Sequence, residues 1–247
     1  MPEKIMVEWE VTLHCNYNCF YCTNLDPTIK PVTDHGKLAL FIEQLGNEYP
    51  GVEIFIFGGE PFLHPEISFI IETFNRFNIP FVIQTNLSKK SLQVINKLKE
   101  PVILQVSIHP TEIPLSDINI PDNINIRTID VMFTGLNAVP YYLSVKGKAE
   151  KVYLTPIGDF GDGISGATLD KYNEMRNDPR WENIIDFEEV KRLGDYRSNM
   201  WTDYSPRGKP CLYQDIYFLY SPNLDLYNCC HRVNHTGICN HDKCFLM

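Results

Sequence analysis

Three cysteines near the start of the chain have the spacing C-x-x-x-C-x-x-C. They are Cys15, Cys19 and Cys22, which follow a strand-like run, and Tyr21 precedes the last thiol. A structural zinc site is normally closed by four ligands, whereas an iron–sulfur cluster held by three cysteines leaves one iron open to a small molecule. The loop therefore predicts a catalytic metal centre.

A zinc site with His14 as the fourth ligand is the competing interpretation of this loop. His14 is adjacent to Cys15, and neighbouring side chains on an extended segment point to opposite sides, so joint chelation would be awkward. The spacing also departs from the usual zinc pattern of a close pair and a distant pair. Both points favour the cluster.

The second chemical motif is the turn Gly58-Gly59-Glu60-Pro61, which follows the next strand-like run. Two glycines let a backbone pass close to a ligand, and a carboxylate such as Glu60 can accept hydrogen bonds from a cationic amino group. Glycine and proline also favour ordinary turns on backbone grounds. Taken alone, this motif leaves both interpretations open.

Alternating strands and helices must position these motifs. The pattern predicts two clear amphipathic helices, at 34–48 and 64–77, and Ser88 as the cap of another. The crossover at 110–122 is too short and too rich in proline for a long helix. Strands are expected at 6–12, 52–57, 81–85, 102–108, 124–132 and 151–157. Such an order favours parallel βα units with functional loops at the carboxyl ends of the strands.

The two motifs, in this order and at successive strand ends, resemble the radical S-adenosylmethionine (SAM) superfamily over roughly residues 5–158. The resemblance implies an α/β fold, a partial (β/α)6 TIM-like barrel. It also implies a 4Fe-4S cluster on Cys15, Cys19 and Cys22. In that family the open iron chelates the amino and carboxylate groups of SAM. Reductive cleavage then yields methionine and a 5′-deoxyadenosyl radical.

The same resemblance implies residues that contact SAM. They are Tyr21, Gly58, Gly59, Glu60, Pro61, Asn86, Ser107 and Arg127. The chain departs from the family pattern at two places, because His109 replaces the usual acidic residue and no glycine follows Asn86. Asn86 and Ser107 could equally be capping or turn residues. Arg127 could equally be a solvated charge at the end of its strand.

The C-terminal segment holds the other five cysteines, and two strand-like runs at 216–220 and 224–227 that suggest a hairpin separate the first of them from the rest. The layout resembles the SPASM extension, or its shortened Twitch form, which binds auxiliary iron–sulfur clusters. Consecutive strand residues point to opposite sides, so adjacent Cys229 and Cys230 should not both bind easily, and we expect Cys230 to be spare. The expected ligands of one auxiliary 4Fe-4S cluster are Cys211, Cys229, Cys239 and Cys244.

Zinc stays open as the alternative metal for this segment, with His231, His235 or His241 as ligands. The expected domains are then a radical SAM core at 1–158, a connecting segment at 159–210 and a SPASM/Twitch-like auxiliary cluster domain at 211–247.

Charge and composition narrow the class of protein. The net charge is −9 and no stripe of lysine and arginine is present, which disfavours nucleic-acid binding. No apolar run approaches the roughly 18 residues of a membrane span. The start lacks the pattern of a signal peptide, so we expect a cytoplasmic protein with reduced thiols, in which clustered cysteines bind metal.

The predicted function is that of a radical SAM enzyme acting on a small molecule or a peptide, with a flavodoxin- or ferredoxin-type electron donor. An auxiliary cluster would take up an electron from the substrate radical, which favours alcohol dehydrogenation or peptide crosslinking. We see no separate leader-peptide module before the barrel, which weighs mildly against a peptide.

Other functions stay open. A peptide epimerase would use Cys230 as the hydrogen donor, and a zinc-binding interaction module would have no catalysis. A methyltransferase or nucleoside-modifying enzyme finds no support, because we see no cobalamin domain and no basic groove.

Overall fold

A computed structural model describes residues 5–22, 26–156, 171, 174–175, 177–181, 184–185 and 217–227. The described chain divides into two compact units. The first contains residues 5–16, 26–103 and 217–227, and the second contains 17–22, 104–156 and the short described stretches up to 185.

The described elements are strands and helices that alternate along the chain. The strands are β1 (Met6–Thr12), β2 (Ile54–Gly58), β3 (Phe81–Thr85), β4 (Ile103–Ile108), β5 (Asn125–Phe133), β6 (Lys151–Pro156), β7 (Tyr217–Tyr220) and β8 (Leu226–Tyr227). The helices are α1 (His35–Glu48), α2 (Ile67–Arg76), α3 (Lys89–Ile95) and α4 (Val139–Val145). All six strands predicted in the barrel segment are confirmed, with ends shifted by two residues or fewer.

Parallel pairing dominates the sheet. In the first unit the strand order is β3-β2-β1-β7-β8, where β1 pairs in parallel with β2 and with β7, and β2 pairs in parallel with β3. In the second unit the order is β6-β5-β4, and β5 and β6 are parallel. The predicted α/β class with a parallel sheet is confirmed.

The predicted C-terminal hairpin is confirmed as antiparallel β7 and β8. The sequence did not predict that β7 would pair with β1, from Met6 opposite Tyr217 to Trp9 opposite Tyr220. The described part of the segment predicted as an auxiliary domain therefore shares a sheet with the first strand. The domain boundaries near 158 and 210 lie outside the described residues and stay predictions.

Strand β1 has two different faces. Trp9, only 1% exposed, contacts Phe41 of α1 and Phe74 of α2, with ring centroids 5.0 and 6.4 Å away. Because side chains alternate along a strand, Glu8 and Glu10 lie on the face opposite to these helices. The helices thus cover one face of the strand, and the other carries carboxylates.

Local chemistry sets the helix boundaries. Helix α1 begins after Asp34, whose carboxylate accepts a hydrogen bond from the Lys37 amide at 2.8 Å. Ser88 caps α3 as predicted, accepting from the Ser91 amide at 3.3 Å. Helix α2 begins three residues later than predicted, because His64 precedes a proline and adopts the extended ψ of 127° that proline imposes.

The crossover at 110–122 contains only one short 3-10 turn, Leu115–Asp117, as its length and prolines predicted. Within the described residues, no helix has the length and apolar character needed to cross a membrane.

Candidate functional site

The Gly58-Gly59 turn lies directly against the end of β1. The Gly59 amide donates to the Thr12 carbonyl at 2.7 Å, and the Glu60 amide donates to the His14 carbonyl at 2.8 Å. A Cβ added to Gly58 would lie 2.2 Å from the Thr12 oxygen, and one added to Gly59 would lie 2.3 Å from the His14 oxygen. The glycines thus permit close approach of two backbones at the start of the cysteine loop. Their contact with SAM stays a prediction.

Glu60 is fully buried and is held by donors from two strand ends. One carboxylate oxygen accepts from the Thr85 hydroxyl at 2.8 Å and from the Phe62 amide at 3.2 Å, and the other accepts from the Asn86 amide at 2.7 Å. Burial raises the pKa of Glu60 to about 6, although these hydrogen bonds oppose the increase. Pro61, also buried, begins the 3-10 turn that Glu60 caps. Glu60 therefore ties the end of β2 to the end of β3.

Asn86 connects this carboxylate to the cysteine loop. Its Nδ2 lies 3.8 Å from the Cys15 Sγ and donates to the Asn16 Oδ1 at 3.1 Å. Its Oδ1 accepts from the Ser88 amide at 3.0 Å, which fixes the orientation of the amide. The first unit thus brings together three of the predicted residues: Cys15, Glu60 and Asn86.

The second unit contains the other two cysteines of the motif and places Cys19 beside His109. Cys19 is buried and Cys22 is exposed, and the Cys22 amide donates to the Cys19 carbonyl at 3.0 Å. The Nδ1 of His109 lies 2.7 Å from the Tyr21 hydroxyl and 3.5 Å from the Cys19 Sγ. Tyr21, which the sequence assigned to SAM, therefore lies beside a predicted iron ligand.

Burial controls the protonation of both His109 and Tyr21. It lowers the pKa of His109 to about 4, so the imidazole is neutral at neutral pH. Burial, together with the negative charge of a Cys19 thiolate, raises the pKa of the Tyr21 hydroxyl, which stays protonated. Both side chains can therefore donate a hydrogen bond without carrying a charge.

Ser107 and Arg127 occupy different ends of their strands. Ser107 is buried next to the last residue of β4, where a strand-end contact was expected. Arg127 is the third residue of β5 and precedes the carboxyl end of that strand by six residues, about 20 Å at the usual rise. A SAM contact by Arg127 has the least positional support, and both roles stay predictions.

Several residues of the site escaped the sequence analysis. Thr85 and Asn16 were missed, and His109 was noted only as a departure from the family pattern. Glu112, which accepts from the Asn18 amide at 3.1 Å in the second unit, was also missed. These residues share a position at a strand end or in the cysteine loop, and that position is the only sign of them in the sequence. The residues that they contact are distant along the chain, so sequence spacing does not predict the contacts.

The donor chemistry of the motif fits an iron–sulfur cluster. Cys15, Cys19 and Cys22 supply three sulfur atoms within one short loop. Among the described residues, no three histidine, cysteine or acidic side chains converge on a single metal ion. A cluster binds its thiolates through different irons and does not require that convergence. The cysteines of the predicted auxiliary site, Cys211, Cys229, Cys239 and Cys244, and the predicted donor Cys230 lie outside the described residues.

Known structures share this fold. SuiB from Streptococcus suis, bound to S-adenosylmethionine, superposes with a TM-score of 0.60 at 14% identity, covering 95% of this chain and 62% of SuiB. SuiB bound to the precursor peptide SuiA superposes with a TM-score of 0.59 at 14% identity, covering 98% of this chain and 64% of SuiB. The protein anSMEcpe with bound AdoMet, which is SAM, superposes with a TM-score of 0.56 at 16% identity. The match covers 99% of this chain and 79% of anSMEcpe.

These identities show a common fold and nothing more, and the chain spans less than two thirds of SuiB. No curated protein matches the chain. Residues 9–127, just under half of the chain, match the sequence model of the Radical SAM superfamily. This stretch runs from β1 into β5 and contains the three-cysteine loop and the Gly58-Gly59 turn.

Proposed function

We propose that the protein is a radical SAM enzyme that binds a 4Fe-4S cluster through Cys15, Cys19 and Cys22. The observation that carries the proposal is the family match over residues 9–127, which contains these three cysteines in the expected spacing. When bound, such a cluster supplies the electron that cleaves SAM into methionine and a 5′-deoxyadenosyl radical, which abstracts hydrogen from a substrate.

The chain's own residues position the cofactors in this proposal. Asn86 directs an N–H group to the Cys15 sulfur, and the Gly58-Gly59 turn is anchored on the backbone at the end of β1. The Glu60 carboxylate is the proposed acceptor of hydrogen bonds from the SAM ammonium. Ser107 is proposed as a further polar contact of SAM.

The substrate is proposed to be a small molecule or a peptide. SuiB, which shares the fold, is bound to a precursor peptide, and this keeps peptides in consideration. The net charge of −9 disfavours nucleic acid. The electron is proposed to come from a flavodoxin- or ferredoxin-type protein, and the enzyme is proposed to be cytoplasmic.

A second 4Fe-4S cluster on Cys211, Cys229, Cys239 and Cys244 is proposed for the C-terminal segment. It would accept an electron from the substrate radical and so favour an oxidation, either alcohol dehydrogenation or peptide crosslinking. In the alternative, peptide epimerisation, Cys230 returns a hydrogen atom to the substrate radical.

The decisive experiment measures iron, sulfide and zinc per chain after anaerobic purification. The wild type is compared with the variant that carries Cys15→Ala, Cys19→Ala and Cys22→Ala. A fall from eight irons to four supports two clusters, and a fall from four to none removes the auxiliary cluster. Zinc in both proteins, without a brown chromophore, overturns the proposal.

Cleavage of SAM gives an independent readout. With dithionite as reductant, the wild type should form 5′-deoxyadenosine and the triple variant should form none. The matched control is Cys230→Ala, which should retain this cleavage. With a peptide substrate, loss of product in Cys230→Ala favours the epimerase, whereas unchanged turnover excludes Cys230 as the donor.

A further inference from the structure

His109 occupies a defined position next to a predicted iron ligand. It directly follows β4, and its ring stacks on that of Tyr21, with centroids 6.0 Å apart and an interplanar angle of 14°. The ring of Tyr17 meets it edge-on, with centroids 5.9 Å apart. Two aromatic contacts therefore hold the imidazole so that its Nδ1 lies 3.5 Å from the Cys19 sulfur.

The chemistry of the contact assigns the direction of the hydrogen bond. A cysteine bound to iron is a thiolate and has no proton to donate, so its contact with Nδ1 is favourable only when Nδ1 carries the hydrogen. The oxygen of Tyr21, 2.7 Å from Nδ1, shares the same N–H group. The hydroxyl of Tyr21 can in turn donate to the Cys19 sulfur.

We propose that His109 is a positioning residue that donates an Nδ1–H hydrogen bond to the Cys19 thiolate and thereby raises the reduction potential of the cluster. The inference rests on the proposed function. Hydrogen bonds to the sulfurs are among the factors that set the potential of an iron–sulfur cluster. A donor stabilises the reduced state most, because that state carries the greater negative charge.

The residue type at position 109 decides the sign of the interaction with Cys19. A carboxylate there would be an acceptor and would repel a thiolate, whereas an imidazole supplies a donor.

The test is a redox titration of the anaerobically purified holoprotein, followed by electron paramagnetic resonance. The signal that changes when SAM is added identifies the cluster of interest. His109→Phe keeps an aromatic ring and removes the donor, and it should lower the midpoint potential. His109→Asn places an amide nitrogen the same number of bonds from Cα as Nδ1. Its midpoint potential should therefore lie close to that of the wild type.

His109→Leu provides the matched partner of His109→Asn, because the two side chains share the same branched shape and differ in the donor. If His109→Phe fails to retain iron, the midpoint potentials of His109→Asn and His109→Leu are compared instead. A higher potential for His109→Asn supports the inference. Equal potentials in all iron-loaded proteins overturn it and leave the proposed function intact. A wild type without a reducible cluster overturns the proposed function itself.

Discussion

Glu60 is completely buried and accepts hydrogen bonds from protein donors, and its burial fixes how its charge affects stability. Burial raises its pKa from 4.5 to about 6, so the folded protein holds this proton more tightly than the unfolded chain. A carboxyl group with a raised pKa stabilises the fold below the unfolded value, and that contribution is lost as the pH rises through the folded value. Glu60 therefore makes the free energy of unfolding depend on pH between pH 4.5 and about 6.

The variant Glu60→Gln should remove this pH dependence. Across that window the wild-type free energy of unfolding should fall by about 2 kcal/mol relative to Glu60→Gln. Urea unfolding at about pH 4.5 and at about pH 7 measures the difference. Glu48→Gln, an exposed carboxylate at the end of α1, serves as the control. Parallel pH profiles for the wild type and Glu60→Gln would contradict the assigned pKa.

Gly59 is constrained by a neighbouring backbone. In Gly59→Ala the new Cβ would lie 2.3 Å from the His14 carbonyl oxygen, and a backbone cannot rotate away as a side chain can. We expect a loss of about 3 kcal/mol in stability, since overpacking typically costs 1–3 kcal/mol and this collision is severe. Because the displaced backbone leads into Cys15, iron content should fall as well.

Gly36→Ala in α1 is the matched control, because its new Cβ would meet only the side chain of Asp34, at 3.2 Å. Thermal unfolding and iron analysis of both variants test the prediction. Full iron content and unchanged stability in Gly59→Ala would show that the turn can move away from β1.

At the scale of secondary structure, a part-buried side-chain hydrogen bond joins β7 to β1. The Tyr217 hydroxyl donates to the Glu8 carboxylate at 2.7 Å. Burial raises the pKa of Glu8, and this hydrogen bond opposes the increase. The bond therefore favours the ionised form of Glu8, which burial and the nearby Glu10 disfavour.

Tyr217→Phe should destabilise the protein by about 1–3 kcal/mol at neutral pH, because it leaves the part-buried Glu8 carboxyl group without this donor. The pKa of Glu8 rises further in the variant, so the loss should shrink at about pH 4, where the carboxyl group is protonated. Unfolding at the two pH values measures this. The control is Tyr227→Phe, on the partner strand β8. A loss of equal size at both pH values would argue against the ionised pair.

At the scale of the whole molecule, the C-terminal hairpin is part of the sheet that carries the cysteine loop. A chain that ends before β7 would leave β1 as an unpaired edge strand, and exposed edges promote aggregation. We expect a chain ending at residue 216 to aggregate, whereas one ending at Tyr227 keeps the hairpin and should stay monomeric. Size-exclusion chromatography distinguishes them. A well-behaved monomer ending at 216 would instead support a separable C-terminal domain.

The sequence was sufficient for features that depend on nearby residues. Periodicity predicted β1 and β3 to the residue, and Ser88 as a helix cap, because alternation and capping act over only a few positions. The cysteine spacing and the Gly58-Gly59 turn pointed to the radical SAM family for the same reason. They are short, contiguous patterns with a specific chemistry.

Tertiary structure decided the contacts between residues distant along the chain. The meeting of His109 with Cys19, the enclosure of Glu60 by Thr85 and Asn86, and the pairing of β7 with β1 each join distant segments. The fold brings such segments together by burying apolar surface and pairing strands, and neither process leaves a local pattern. The sequence therefore predicted which residues bind a cluster, and the fold determined which side chains hydrogen-bond to them.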